Sequence, residues 1–181
     1  MIRTGLLLAA GASRRFGPQD KLLAPLGGRP LVAHAADALR VTSLDHRIAV
    51  IANPALVPLL DGFRIVLISP GGQQSDSLRA GLGEAGQLDR LLITLGDMPD
   101  VTAAHLTRIL TAATDDLPSC SHDGTAPLPP ACFPQARFAA LQTLTGDQGA
   151  ARLLQNLPAG QYINAGSLLR DIDTSDQIAP T

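Results

Sequence analysis

The sequence predicts an α/β fold on a largely parallel sheet. Short continuous apolar runs alternate with longer stretches of helical periodicity, the pattern of strands joined by helical crossovers. The runs are apolar on consecutive residues rather than on every second one, as expected of strands covered on both faces. The composition supplies an aliphatic interior, with 45% hydrophobic residues, 17% charged residues, four Phe, one Tyr and no Trp. At 181 residues the chain has the size of one domain, and no linker or repeat divides it, so 1–181 is expected to form a single unit.

Residues 5–10 form the first apolar run, and similar runs at 47–52, 63–69 and 91–95 predict three more strands. Helical patterns fill 31–39, 76–84 and 103–113, the first preceded by Pro30, which suits a helix start. The stretch 118–134 contains five prolines, so irregular or edge structure forming a pocket wall is expected there. Helical segments at 135–144 and 149–156 follow, and a closing strand is expected at 167–172.

Composition excludes several functions. Fourteen basic and sixteen acidic residues give a formal charge of −2, which does not suit a nucleic-acid wrapper, and aromatic stacking platforms are lacking. No run reaches the ~18 apolar residues of a membrane helix. The apolar stretch after Arg3 is too short for a secretory h-region and runs at once into Arg14 and Arg15, so the cytoplasm is the expected location. Cys120 and Cys132 lack CxxC spacing and are expected as reduced thiols without an adjacent base. His34, His46, His105 and His122 lack metal-ligand spacing, and no Gly-x-Ser-x-Gly elbow occurs.

The most informative segment runs from Leu6 to Gly17 and on to Lys21. Leu8, Ala9 and Ala10 end the first strand, and Gly11, Ser13, Arg14, Arg15 and Gly17 follow. At the carboxyl end of a parallel strand, small residues let the backbone present N–H groups to an anion. Arg15 and Lys21 can neutralise phosphate charge. Both the Walker A spacing and the GxGxxG fingerprint are absent. An ordinary βα turn with exposed cations fits the same residues.

A second strand, 91–95, ends in Gly96-Asp97-Met98-Pro99. A carboxylate at a strand's carboxyl end can serve Mg²⁺, which takes one or two carboxylates with phosphate oxygens and water; it can also cap the helix near Thr102. Gly71-Gly72-Gln73-Gln74-Ser75-Asp76-Ser77 precedes another helix, where Ser or Asp suits the cap and Gly81 suits close packing.

Leu8-Ala9-Ala10-Gly11-Ala12-Ser13-Arg14-Arg15-Phe16-Gly17, then Lys21-Leu22-Leu23 and Gly28-Arg29-Pro30-Leu31, resembles the opening signature of the MobA-like NTP transferases, LAAGxSxRxG, lysine, GxPL. Within that family it is most similar to the molybdenum cofactor cytidylyltransferases. Three residues separate Gly17 from Lys21 where the family commonly has two. Later segments extend the likeness: Gly96-Asp97-Met98-Pro99, Gly146-Asp147-Gln148-Gly149-Ala150-Ala151-Arg152 against the family's GDxGAR, and Asp171-Ile172-Asp173-Thr174 against DIDTPED. Ala151 stands where the family has Arg, and Ser175-Asp176 replace its Pro-Glu.

The resemblance implies a Rossmann-like three-layer α/β/α nucleotidyltransferase that moves CMP from CTP to the phosphate of the molybdenum pterin cofactor, releasing pyrophosphate. It implies Arg15, Lys21 and Asp97 as catalytic residues. Leu8, Ala9, Ala10, Gly11, Ser13, Arg15, Gly17, Lys21, Gly72 and Ser77 would hold the nucleotide, and Asp97 with Asp173 the Mg²⁺. Asp147 reads as a helix cap rather than a catalytic residue, and Asp173 reads also as a surface turn. A molybdenum hydroxylase would receive the product. Transfer of CMP or GMP to a sugar phosphate or methylerythritol phosphate, or non-catalytic carriage of the cofactor, remain open alternatives.

Overall fold

The computed structural model describes residues 1–11, 16, 19–146 and 149–178. Nine strands occur among them: β1 (Arg3–Ala9), β2 (Pro25–Leu26), β3 (Arg29–Pro30), β4 (His46–Ile51), β5 (Arg64–Leu67), β6 (Arg90–Leu95), β7 (Ser119–His122), β8 (Pro127–Pro134) and β9 (Tyr162–Asn164). Four α-helices join them: α1 (Leu31–Val41), α2 (Gln74–Glu84), α3 (Ala103–Ala112) and α4 (Phe138–Gln142). β2 and β3 make a small hairpin, and the other seven strands form one sheet in the order β5-β4-β1-β6-β8-β7-β9. Pairing is parallel throughout that sheet except where β8 lies against β6 and β7.

Consecutive apolar residues point to alternate faces of a strand, so each inner strand feeds two cores. Leu7, Ala9, Ala49, Ile51 and Leu92 pack with Leu31, Val32, Ala35, Ala36 and Leu39 of α1 and with Leu106 and Ile109 of α3. Leu6, Leu8, Ile48, Val50, Leu91 and Ile93 pack on the other face with Leu78 and Leu82 of α2 and with Leu141 of α4. The result is the expected α/β/α layering with a mostly parallel sheet. Gly81 allows α2 to approach: a Cβ there would stand 2.4 Å from Leu6 Cδ1 and 2.9 Å from Val50 Cγ2.

Two expectations from the sequence are corrected. The proline-rich stretch is largely strand and not an edge: it supplies β7 and β8, interrupted by residues 123–126 and a register shift, and β8 lies inside the sheet between β6 and β7. The ladder tolerates its prolines by leaving Pro129 and Pro130 opposite a bulge: Cys120 faces Ala131, the next residue Ser121 faces Leu128, and Pro127 and Pro134 are the strand's ends. The closing strand is Tyr162–Asn164, parallel to β7, not 167–172. Residues Gly166–Leu169 form a 3-10 turn instead, and the fully buried Ile172 anchors the segment after it. Helicity at 135–144 divides into the 3-10 turn Gln135–Arg137 and α4, and Gly149–Leu154 is also 3-10.

Beneath β7, His105 of α3 is 2% exposed, with Nε2 2.8 Å from Ser121 Oγ. Burial, and then the charge of Arg108, hold its pKa below the usual histidine value. Below pH ~6.5 the unfolded chain therefore binds a proton that the folded chain refuses, so stability falls with pH. Thermal melts from pH 7.5 down to 5.5 are expected to show this loss in the parent protein and a flatter profile in His105→Gln; equal slopes would refute it.

Candidate functional site

β1 and β6 are adjacent and parallel, with Leu8 level with Leu95, and the chain leaves them in opposite directions across the sheet. Such a switch point opens a crevice beyond the carboxyl ends of the strands. Ala9, Ala10 and Gly11 leave the sheet there; the two alanines are buried, and a Cβ at Gly11 would meet nothing within 4 Å. Gly96 N donates to Leu8 O at 2.9 Å, so the turn carrying Asp97 is tied to the end of β1. Ser13, Arg15 and Gly17 lie outside the described residues, as do Asp147 and Gln148.

The chain re-enters at a 3-10 turn, Lys21–Leu23, with Asp20 as its cap: Asp20 Oδ1 accepts from Leu22 N at 3.0 Å. Asp20 Oδ2 accepts from Asn53 Nδ2 at 2.8 Å, fastening the turn to the carboxyl end of β4. Leu22 is buried in the α1-side core. Anchored on both sides, Lys21 is itself only 7% exposed. Its Nζ donates to Asp97 Oδ2 at 2.7 Å and to Asp173 Oδ1 at 3.2 Å. Ile172 N donates to Asp97 O at 3.0 Å, which draws the C-terminal segment, and Asp173 with it, onto the same edge.

The site is electrostatically tight. Burial works against the Lys21 charge, yet attraction to Asp97, with hydrogen bonds to both carboxylates, raises its pKa above the ordinary value. Asp171 feels the reverse: desolvation, then repulsion from Asp173 and Asp97, push its carboxyl up. The helix-cap role open to Asp97 belongs instead to Thr102, whose Oγ1 accepts from His105 N.

Gly72 and Ser77 stand on the other side of the strand ends, where α2 begins. Asp76 closes a capping box by accepting from Gln73 N at 2.9 Å, and Ser77 is buried. Gly146 docks here: its O accepts from Ser75 N at 3.4 Å, and its N donates to Gln73 Oε1 at 3.0 Å. The structure thus joins Lys21, Asp97 and Asp173 directly, with Leu8 to Gly11 beside them and Gly72 and Ser77 across the sheet edge.

The sequence reading passed over Asp20 and Asn53. Asp directly before Lys-Leu-Leu is the pattern of a helix cap, and it was the visible signal. It also passed over the fact that Lys21 is the only lysine in the chain, every other permanent cation being arginine. The buried thiols Cys120 and Cys132 are both pushed up to about 12, which leaves almost no thiolate at neutral pH.

Divalent metals serve nucleotidyltransferases of this fold, and the carboxylates suit one. Asp97 Oδ1 is buried without a hydrogen-bond partner among the described residues, and carboxylate oxygens are the hard donors that Mg²⁺ or Mn²⁺ prefers. Among the described residues no group of three or more His, Cys, Asp or Glu is placed to hold a metal. Two carboxylates with phosphate and water oxygens match the habit of Mg²⁺.

A parallel sheet whose switch point carries a glycine turn, a buried ammonium and converging carboxylates defines a class, the α/β enzymes that handle phosphorylated ligands. The chain belongs to the MobA-like NTP transferase domain family, whose model matches residues 5–161, and it is an enzyme of the nucleotidyltransferase class. It is 30% identical to the purine catabolism protein PucB of Bacillus subtilis, over 96% of this chain and 92% of that one. It is equally 30% identical to nicotine blue oxidoreductase of Paenarthrobacter nicotinovorans, over 97% and 94%. A probable molybdenum cofactor guanylyltransferase of Pyrococcus horikoshii is 32% identical over 58% of this chain and 53% of its own length. Among solved structures, Rv0371c from Mycobacterium tuberculosis H37Rv superposes with a TM-score of 0.83 at 26% identity, covering 97% of this chain and 95% of that one. The same protein's manganese complex superposes at 0.80 with 25% identity, covering 97% and 95%. No helix among the described residues is long and apolar enough to cross a membrane.

Proposed function

We propose that the protein transfers CMP from CTP to the phosphate of the molybdenum pterin cofactor and releases pyrophosphate. The observation that carries the transfer chemistry is the buried Lys21 ammonium held between Asp97 and Asp173, beside the turn that ends β1. The choice of cytosine and pterin rests on the resemblance of residues 8–17 and 171–174 to the cytidylyltransferase branch.

In this reading the acceptor's terminal phosphate attacks the α-phosphorus of CTP. A phosphate monoester is already anionic at neutral pH, so no side chain need remove a proton. The work is to hold two polyanions together and to balance charge on departing pyrophosphate. The turn after β1 cradles the triphosphate through backbone N–H groups, and Lys21 and Arg15 neutralise it. Gly72 and Ser77 at the start of α2 are on the far side of the strand ends, where the nucleoside would lie. Asp97 and Asp173 would hold Mg²⁺, which when bound supplies further charge neutralisation. The product would pass to a molybdenum hydroxylase.

A second reading, with GTP as donor, follows from the relative named as a guanylyltransferase. Pyrophosphate release, measured with CTP, GTP, ATP and UTP in turn with Mg²⁺ and the pterin cofactor, separates the possibilities. Acceptor-dependent release is expected with CTP. Release with GTP alone would move the assignment to guanylyl transfer, and pterin binding without any release would make the protein a carrier.

A further inference from the structure

The Lys21 ammonium bonds to the two carboxylates assigned to the metal, Asp97 and Asp173. We propose that Lys21 is a resident counter-ion that must leave these carboxylates before a divalent cation binds, so that the triphosphate, by giving the ammonium another anion, is what opens the metal site. The proposal deepens the functional reading above and rests on its assignment of the two aspartates.

Three observations support it. The ammonium is buried and shares Asp97 Oδ2 and Asp173 Oδ1, atoms that a cation would need, while Asp97 Oδ1 has no hydrogen-bond partner among the described residues. A lysine occupies this one place in a chain whose other permanent cations are arginines. A compact ammonium on a flexible stem can change partners, where a planar guanidinium would be fixed by its fork of donors. Finally, the backbone around it is anchored by Asp20, Asn53 and Leu22, so release needs only the side chain to move. Linkage then makes the coupling reciprocal: nucleotide tightens metal binding, and metal tightens nucleotide binding.

Manganese binding, followed by the EPR signal of the free ion with no nucleotide present, tests the competition. Lys21→Met, which keeps the stem and removes the charge, is expected to bind Mn²⁺ at least ~tenfold more tightly than the parent protein. Equal or weaker binding overturns the proposal. The parent protein gives an independent measurement, because its single lysine yields one side-chain ammonium resonance in a ¹⁵N-labelled sample. Titration with CTP and Mg²⁺ together is expected to remove the ion-paired signal at Mg²⁺ concentrations that leave it intact without nucleotide. Its persistence with both present, or its equal loss with Mg²⁺ alone, overturns the proposal even if Lys21→Met does not fold. The double variant Lys21→Met, Asp97→Asn separates the two ideas. If it binds Mn²⁺ as tightly as Lys21→Met, the metal is not at Asp97 and the functional assignment fails.

Discussion

Asp97→Asn is expected to lower kcat/KM for nucleotidyl transfer by at least ~100-fold, about 2.7 kcal/mol of transition-state stabilisation. The substitution is nearly isosteric and removes one negative charge at the point where the β6 turn meets Lys21. Asparagine Oδ1 can still accept from the Lys21 ammonium, so the local hydrogen bond and the fold should persist. Pyrophosphate release gives the rate, and a thermal melt within a few degrees of the parent shows that the loss is chemical. Lys21→Ala is expected to cost activity on the same scale. Near-normal turnover in either variant removes these residues from the chemistry.

Phe133→Ala is expected to cost about 3–5 kcal/mol of stability, a large part of the ~5–15 kcal/mol that holds a domain together. Phe133 is fully buried and is among the largest such side chains in the chain. It also does unusual service in its strand. The prolines of β8 cannot donate to the ladder, so its pairing with β6 and its burial both concentrate in Ala131, Cys132 and Phe133. Chemical denaturation read by circular dichroism checks the magnitude; a loss under ~1 kcal/mol would show that the cavity collapses or that β8 is held otherwise.

The same strand shows why the sequence was legible in one half and not in the other. β1, β4, β5 and β6, with the helices between them, are aliphatic runs and amphipathic stretches whose local pattern and tertiary setting agree. In β8 the local rule against proline was overridden by a bulge that no periodicity announces. The closing strand was misplaced for a related reason. Leu168, Leu169 and Ile172 look like strand residues, whereas the sheet takes three residues of mixed character, Tyr162 to Asn164.

At the site, Lys21, Asp97 and Asp173 were readable as separate candidates because each follows a strand or lies in a recognisable motif. Their direct contact was not readable, since Lys21 lies 76 residues from Asp97 and 152 from Asp173. The strand order, which sets the end of β1 beside the end of β6, makes Lys21 and Asp97 neighbours, and the bond from Ile172 N to Asp97 O brings Asp173 to them.

The way the C-terminal segment is fastened has a practical consequence for anyone preparing this protein. Ile172 plugs the interior and hands Asp173 to the charged edge. A polyhistidine tag placed downstream of Asp173 would offer rival ligands to whatever cation was being titrated. Met1, 71% exposed at the opposite rim of the sheet, is the safer point of attachment.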